Sequence, residues 1–231
     1  MLSALGAGLV VGLRSQSMWM TGPLLLWGAV ALLGRGRRRD ATTLLGLAVI
    51  GGLVWFVPMI RLTGWRNYLS VLGSQSADDF AGPFMLAVSF TGRRLQESLS
   101  QTFVAPWQLR TFAHIVLGLA LIGIARLAWR QQRVLGVVSL AFVPYLLFHL
   151  AFQETVTIRY ALPLVIPVSG LAVVGLASLG ERFAMAATAA VVVTSLVLGE
   201  PRLAAYSHEG AAVFRAFQGM QRASVSMPEP P

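Results

Sequence analysis

The chain has 231 residues, of which 56% are hydrophobic and only 12% are charged, and its 18 basic residues are all arginine. Soluble globular proteins average about 25% charged residues, so this composition excludes a soluble core and indicates an integral membrane protein. The formal net charge of +9 suits anionic lipid headgroups and phosphate-bearing ligands. The arginines are dispersed between apolar segments, which argues against a nucleic-acid-binding face. The absence of cysteine excludes disulfides, thiol catalysis and cysteine-ligated metals.

Apolar segments suited to membrane helices follow one another along most of the chain. They predict an all-α fold, a polytopic transmembrane helical bundle of about six to seven hydrophobic segments. The segments are residues 2–13, 18–33, 41–60, 111–128, 134–152, 160–179 and 184–198. The first is short and predicts an incomplete helix, since a signal peptide would begin with basic residues. The predicted transmembrane domain is residues 1–199, followed by a short non-cytoplasmic tail, residues 200–231, with a disordered end.

The more polar segment 61–110 predicts a helical outer loop. Its apolar piece, residues 80–90, is too short to cross a bilayer and predicts an interfacial or re-entrant element. The sequence GRRLQESLSQTF that follows predicts a surface helix.

Arginine density predicts the orientation of the bundle. The short loops 34–40, 126–133 and 180–183 hold eight arginines in 19 residues, whereas segments 14–17, 61–110, 153–159 and 200–231 hold ten in 93. Short arginine-rich loops stay in the cytoplasm, so the four sparse segments lie on the other, outer face.

Four residues at segment ends on the outer face are candidates for binding a lipid phosphate or substrate: Arg14, Glu154, Arg159 and Tyr160. A guanidinium at a membrane interface presents several N–H donors in one plane, an arrangement suited to binding the oxygens of a phosphate. Ionisable residues at a helix mouth pair with each other or face a polar cavity, because exposure to lipid is costly. The alternatives are that Arg14 caps or snorkels at a helix end, and that Glu154 and Arg159 form a structural clamp.

The other polar residues are weaker candidates for a binding or catalytic role. Asp78 and Asp79 are suited to a cation or to general base catalysis, but a solvated loop is the simpler interpretation. His114 and His149 lie within apolar segments and are better explained as satisfied buried or interface residues than as catalytic groups. The histidines are too scattered to predict a metal site, and no catalytic residue is identified.

Three motifs follow one another in an order that resembles a known family. They are GAGLVVGLRSQSMWMTGPLLLW, then YLSVLGSQ at residues 68–75, then RYALPLVIPVSGLAVVGLASL. Over most of residues 1–200 this order resembles the later part of the polytopic GT-C glycosyltransferases, which include protein mannosyltransferases and lipid A aminoarabinose transferases. The "RYLLP"-type helix start of that family is matched by residues 159–163.

The resemblance implies transfer of a sugar from a polyprenyl-phosphate carrier to an acceptor, on the outer face of a bacterial inner membrane. It implies that Arg14 and Arg159 hold the carrier phosphate and that Tyr160 lines the pocket. In that family an acidic first outer loop supplies a base or a ligand for a divalent cation. No such loop precedes Leu2, so the sequence predicts a C-terminal portion of such an enzyme, which need not be active alone. The alternative is a non-enzymatic transporter, flippase or assembly subunit that handles lipid-linked sugars.

Overall fold

The computed structural model describes residues 2–81, 85–155 and 157–209, and every regular element in these ranges is helical. The α-helices are α1 (Leu2–Leu13), α2 (Met18–Gly34), α3 (Arg38–Thr63), α4 (Trp65–Ala81), α5 (Gly92–Phe103), α6 (Arg110–Arg130), α7 (Gln132–Phe152), α8 (Leu162–Leu176) and α9 (Glu181–Glu209). Short 3-10 turns lie at Ser15–Ser17, Ala105–Trp107, Ile158–Tyr160 and Ala177–Leu179. The predicted all-α class is confirmed.

Five helical segments are long and apolar enough to cross a membrane. They are Ser15–Gly34, Arg38–Thr63, Arg110–Arg130, Gln132–Phe152 and Leu162–Leu179, and shorter apolar helices lie at Leu2–Leu13 and Arg182–Thr194. Large apolar side chains such as Leu26, Ile50 and Leu121 are exposed on these helices, as expected where the surrounding solvent is lipid. The prediction of a multi-pass transmembrane helical protein is confirmed.

The chain divides into two compact units, Met1–Ser178 and Leu179–Pro231. The first holds α1 to α8. In the second, α9 contains the predicted segment 184–198 and continues past residue 199 to Glu209. The predicted disordered end, with the rest of residues 210–231, lies outside the described residues.

Helices α1 and α3 are parallel and touch through their backbones. A Cβ atom added to Gly8 would collide with Ala48 O, and one added to Gly51 would collide with Leu5 O. The indole nitrogen of Trp55 donates a 3.2 Å hydrogen bond to Gly8 O. Glycine permits this close approach, which maximises van der Waals contact between membrane helices.

Helices α6 and α8 form a second parallel pair of the same kind. A Cβ atom on Gly123 would collide with Leu171 O, and one on Gly175 would collide with Leu119 O. The same two helices bury one apolar cluster, which comprises Val116, Ala120 and Ala172. Because α7 connects α6 to α8, it runs antiparallel to both.

Helices α2 and α7 join the two parallel pairs. The ring of Trp19, at the start of α2, stacks on that of Phe148, near the end of α7, with centroids 5.1 Å apart. These helices are therefore antiparallel, and α2 also packs on α3. The turn at Ser15–Ser17 and the connection between α7 and α8 consequently lie at one end of the bundle, here called the outer end. The α2–α3 and α6–α7 connections lie at the opposite end.

The predicted outer loop contains α4 and α5. Thr91 caps α5, since its side-chain oxygen accepts a 3.2 Å hydrogen bond from Arg94 N. Within the predicted element 80–90, Met85 and Leu86 are buried and Ala87 N donates to Ala151 O at 3.0 Å, which attaches this turn to the end of α7. Residues 82–84 lie outside the described residues.

We expect Gly123→Ala to destabilise the protein by about 1–3 kcal/mol, because the added methyl must push α6 away from the α8 backbone. The thermal unfolding midpoint of the purified protein in detergent measures this loss. Gly118→Ala, on an exposed face of α6 with no atom within 4 Å of the new methyl, is the matched control and should not lower the midpoint, because alanine in a helix interior is more favourable than glycine by about 0.5–1 kcal/mol. Equal midpoints for the two variants would contradict the close packing.

Candidate anion-binding site

Arg14 lies in the tight turn between α1 and α2. Its backbone is extended, with φ −152° and ψ 107°, and its carbonyl accepts hydrogen bonds from Ser17 N at 2.9 Å and Ser17 Oγ at 2.7 Å. The half-buried Arg14 side chain donates from Nε to Gln16 Oε1 at 2.8 Å. The turn therefore holds this guanidinium at the outer end of the bundle.

Arg159 and Tyr160 lie in the 3-10 turn that precedes α8. The guanidinium carbon of Arg159 lies 5.1 Å from the centroid of the Tyr160 ring, and its Nη2 donates to Tyr160 Oη at 3.3 Å. Proline residues at 163 and 167 belong to the first turns of α8, where a missing amide donor is tolerated at position 163.

The structure brings Arg14 to the same tyrosine, although 145 positions separate it from Arg159. The guanidinium carbon of Arg14 lies 5.5 Å from the Tyr160 ring centroid, and its Nη2 lies 3.5 Å from Arg159 O. Two cations thus share one aromatic ring, which attracts each of them while they repel each other. A bound anion would offset that repulsion.

Neither guanidinium has a carboxylate partner among the described residues. Glu154 is exposed and does not pair with Arg159 in this part of the chain, so the alternative of a Glu154–Arg159 clamp is not what the structure shows. The 3-10 turn directs Arg159 to Tyr160 instead. Most of the N–H donors of the two arginines consequently have no partner among the described residues, which is the condition for binding a phosphate.

Tyr145 supports the turn from α7. This residue is 1% exposed, and its hydroxyl donates a 2.7 Å hydrogen bond to Tyr160 O. The bond joins the middle of α7 to the residue whose ring both arginines contact. The position of the two cations therefore depends on a buried side chain that the sequence did not identify as a candidate.

A buried polar cluster lies where α5 meets the end of α7. His149 is fully buried, with Nε2 3.0 Å from Thr102 Oγ1 and Nδ1 2.7 Å from the side-chain oxygen of Gln153. Thr102 Oγ1 also donates to Ser98 O at 2.7 Å, and Thr155 Oγ1 donates to Ser98 Oγ at 3.0 Å. These bonds attach α5 to α7 and to the segment that leads to Arg159.

The hydrogen bonds of this cluster determine which ring nitrogen of His149 carries the proton. Because Thr102 Oγ1 gives its own hydrogen to Ser98 O, it must accept from His149 Nε2. A neutral ring then accepts at Nδ1, which requires the amide nitrogen of Gln153 to face it. That orientation also provides a partner for Gln153 Nε2, a buried donor that otherwise has none.

The remaining candidates are His114, Asp78 and Asp79. His114 is exposed, with Nδ1 2.6 Å from Arg110 O, and no group of histidine or acidic side chains among the described residues could hold a metal ion. Asp78 and Asp79 belong to α4, and their side chains lie outside the described residues.

We expect Thr102→Val to lower stability by about 1–3 kcal/mol, because it leaves the buried ring nitrogen of His149 and the oxygen of Ser98 with fewer partners. The thermal midpoint, with the accessibility of the α4–α5 segment to protease, measures the effect. Ser100→Ala is the control, since Ser100 is exposed on the same helix, and it should behave as the wild type. A Thr102→Val protein as stable and as protected as the control would contradict the role of the cluster.

Comparisons with protein-family models, with curated proteins and with solved structures find no match to this chain.

Proposed function

We propose that this membrane protein binds the phosphate of a polyprenyl-phosphate-linked sugar at Arg14, Arg159 and Tyr160. In the enzymatic form of this proposal, the chain is a GT-C-like glycosyltransferase, or the C-terminal portion of one, that transfers the sugar to an acceptor. The membrane would be a bacterial inner membrane and the site would lie on its outer face.

One observation carries the proposal: two guanidiniums from distant turns contact a single aromatic ring without a carboxylate partner among the described residues. At a protein surface, acidic side chains normally neutralise two neighbouring guanidiniums. A phosphate can take their place, because it supplies two or more acceptor oxygens for the N–H donors of the arginines. The neighbouring helices expose apolar side chains to lipid, so a phosphate on a lipid tail suits the site better than a soluble one.

The chemistry follows from the charge at the site. In an inverting transfer, the acceptor hydroxyl attacks the anomeric carbon while the bond from that carbon to the phosphate oxygen breaks. The bonding electrons leave with the lipid phosphate, whose growing negative charge Arg14 and Arg159 would stabilise. The acceptor proton requires a base. Glu154 is the acidic residue nearest to Arg159 in sequence, but it is exposed and forms no ion pair with either arginine among the described residues.

A second candidate function is binding and translocation of the lipid-linked sugar without chemistry. One observation favours it, namely that the bundle contains two similar groups of three helices, α1 to α3 and α6 to α8. In each group the first and third helices form a close-packed parallel pair and the second helix is antiparallel to them. Corresponding helices of the two groups run in opposite directions. Groups of helices with opposite orientation are typical of transporters, whose substrates bind where the groups meet. Helices α2 and α7 form that contact here.

We expect Arg159→Gln and Arg14→Gln each to weaken binding of polyprenyl phosphate by about ten- to a hundredfold, because each variant removes a charge-assisted hydrogen bond. Binding is measured with the full chain in lipid nanodiscs, by native mass spectrometry or fluorescence titration. Arg66→Gln is the control, since Arg66 is exposed in α4 and has no ion pair among the described residues.

The outcomes separate the two functions. Unchanged binding by both site variants would overturn the proposed phosphate site. If the wild type binds the carrier and also releases free polyprenyl phosphate in the presence of an acceptor, the glycosyltransferase is supported. Binding without release, together with movement of the carrier between leaflets, would favour the second candidate.

We expect Tyr160→Leu to weaken binding of the carrier about tenfold, because both guanidiniums lose the ring that positions them. Tyr160→Phe keeps the ring and loses only the hydroxyl contact with Arg159, so it should cost about twofold. The same titration compares them. Equal losses for the two variants would mean that the ring does not hold the arginines.

A further inference from the structure

The end of the bundle opposite the outer end carries a strong positive charge. Two connections lie there, between α2 and α3 and between α6 and α7, because α2 and α7 are antiparallel neighbours. The connections and the helix turns beside them hold seven exposed arginines, here called the basic end: Arg35, Arg37, Arg38, Arg39, Arg126, Arg130 and Arg133. The folding of the chain thus brings together two clusters that are about 90 positions apart in the sequence.

Acidic residues neutralise little of this charge. Arg37 Nε forms a 2.6 Å ion pair with Asp40, and no other arginine of the basic end has a carboxylate partner among the described residues. Three of the arginines also lie where a cation is unfavourable. Arg38 and Arg39 begin α3 and Arg133 lies in the first turn of α7, and the dipole of a helix makes its N-terminus positive.

The surroundings of the basic end are apolar. Trp129 is 90% exposed in the last turn of α6, and Leu33 and Val134 are exposed beside the two connections. A large aromatic ring at the end of a membrane helix is typical of the headgroup region, and long arginine side chains beside it reach the phosphates of lipid.

We propose that the basic end binds anionic phospholipid headgroups and that the protein selects such lipids from the surrounding bilayer. Lipid phosphates would neutralise the arginines and would also occupy the positive ends of α3 and α7. The occupant is a membrane lipid rather than free phosphate, because exposed apolar side chains border the arginines. This inference is independent of the proposed function, which concerns the opposite end of the bundle.

The test compares the full chain in nanodiscs of phosphatidylcholine alone and in nanodiscs of phosphatidylcholine mixed with phosphatidylglycerol. Thermal midpoints and the lipid retained in native mass spectrometry are the measurements. One variant replaces Arg126, Arg130 and Arg133 with glutamine and leaves the other cluster intact. The matched control replaces three exposed arginines at the outer end with glutamine, and these are Arg61, Arg66 and Arg110.

We expect phosphatidylglycerol to raise the midpoint of the wild type and of the control equally. The basic-end variant should retain phosphatidylglycerol roughly a hundredfold less strongly, since each arginine near an anionic surface contributes separately. Lysine at the same three positions should restore most of the retention, because the charge returns. An equal rise in midpoint for the basic-end variant and the control would overturn the proposal.

The wild type provides a test that needs no variant. Raising the salt concentration from about 0.05 M to about 0.5 M screens the attraction between exposed charges. It should therefore reduce the increase in thermal midpoint that phosphatidylglycerol causes. A rise that does not depend on salt, or no rise at all, would also overturn the proposal.

Discussion

The direct contact between helix backbones at glycine is the constraint on which the rest of this structure depends. Lipid is as apolar as leucine, so membrane helices associate through close packing and not through the hydrophobic effect. Gly123 and Gly175 hold α6 against α8, and Gly8 and Gly51 hold α1 against α3. The first contact lies near the end of α8 and the second in the middle of α1, so each holds the direction of a helix whose other part reaches the outer end of the bundle. The two arginine-bearing turns are the continuations of these helices, and they meet at Tyr160.

The membrane spans and the grouping of the outer residues could be predicted because hydropathy and arginine density are properties of consecutive residues. Neither requires knowledge of which helices are neighbours. The same reasoning predicts Arg14, Glu154, Arg159 and Tyr160 on one face. The structure brings the two arginines to the ring of Tyr160, whereas Glu154 pairs with neither arginine among the described residues. The partners of each helix could not be predicted. Apolar residues surround these helices on all sides, so no amphipathic face indicates which side contacts a neighbour. The glycine positions carry that information, but at many of the described glycines an added Cβ atom would meet nothing within 4 Å, so glycine alone does not mark a contact.

The prediction that His149 is a satisfied buried or interface residue is confirmed, but its partners could not be predicted, for a different reason. Ser98 and Thr102 lie four residues apart on α5, and such a polar stripe in a loop is typical of a solvated helix face. In the structure this stripe is the buried side of α5. His149 and Gln153 are also four apart, but a sequence gives no means of pairing one stripe with the other across 47 positions. The role of Tyr145 could not be predicted either, because its partner is a backbone oxygen, which every residue has.

The buried side of α5 has a consequence for the order of events during synthesis. Residues 92–103 leave the ribosome before residues 132–152, so the hydroxyl groups of α5 have no histidine to bind until α7 has entered the membrane. Water satisfies those groups in the meantime, which keeps α5 outside the hydrocarbon while the later helices insert. Its docking therefore comes late. The segment that packs on the end of α7 reaches its final place only after α7 has reached its own.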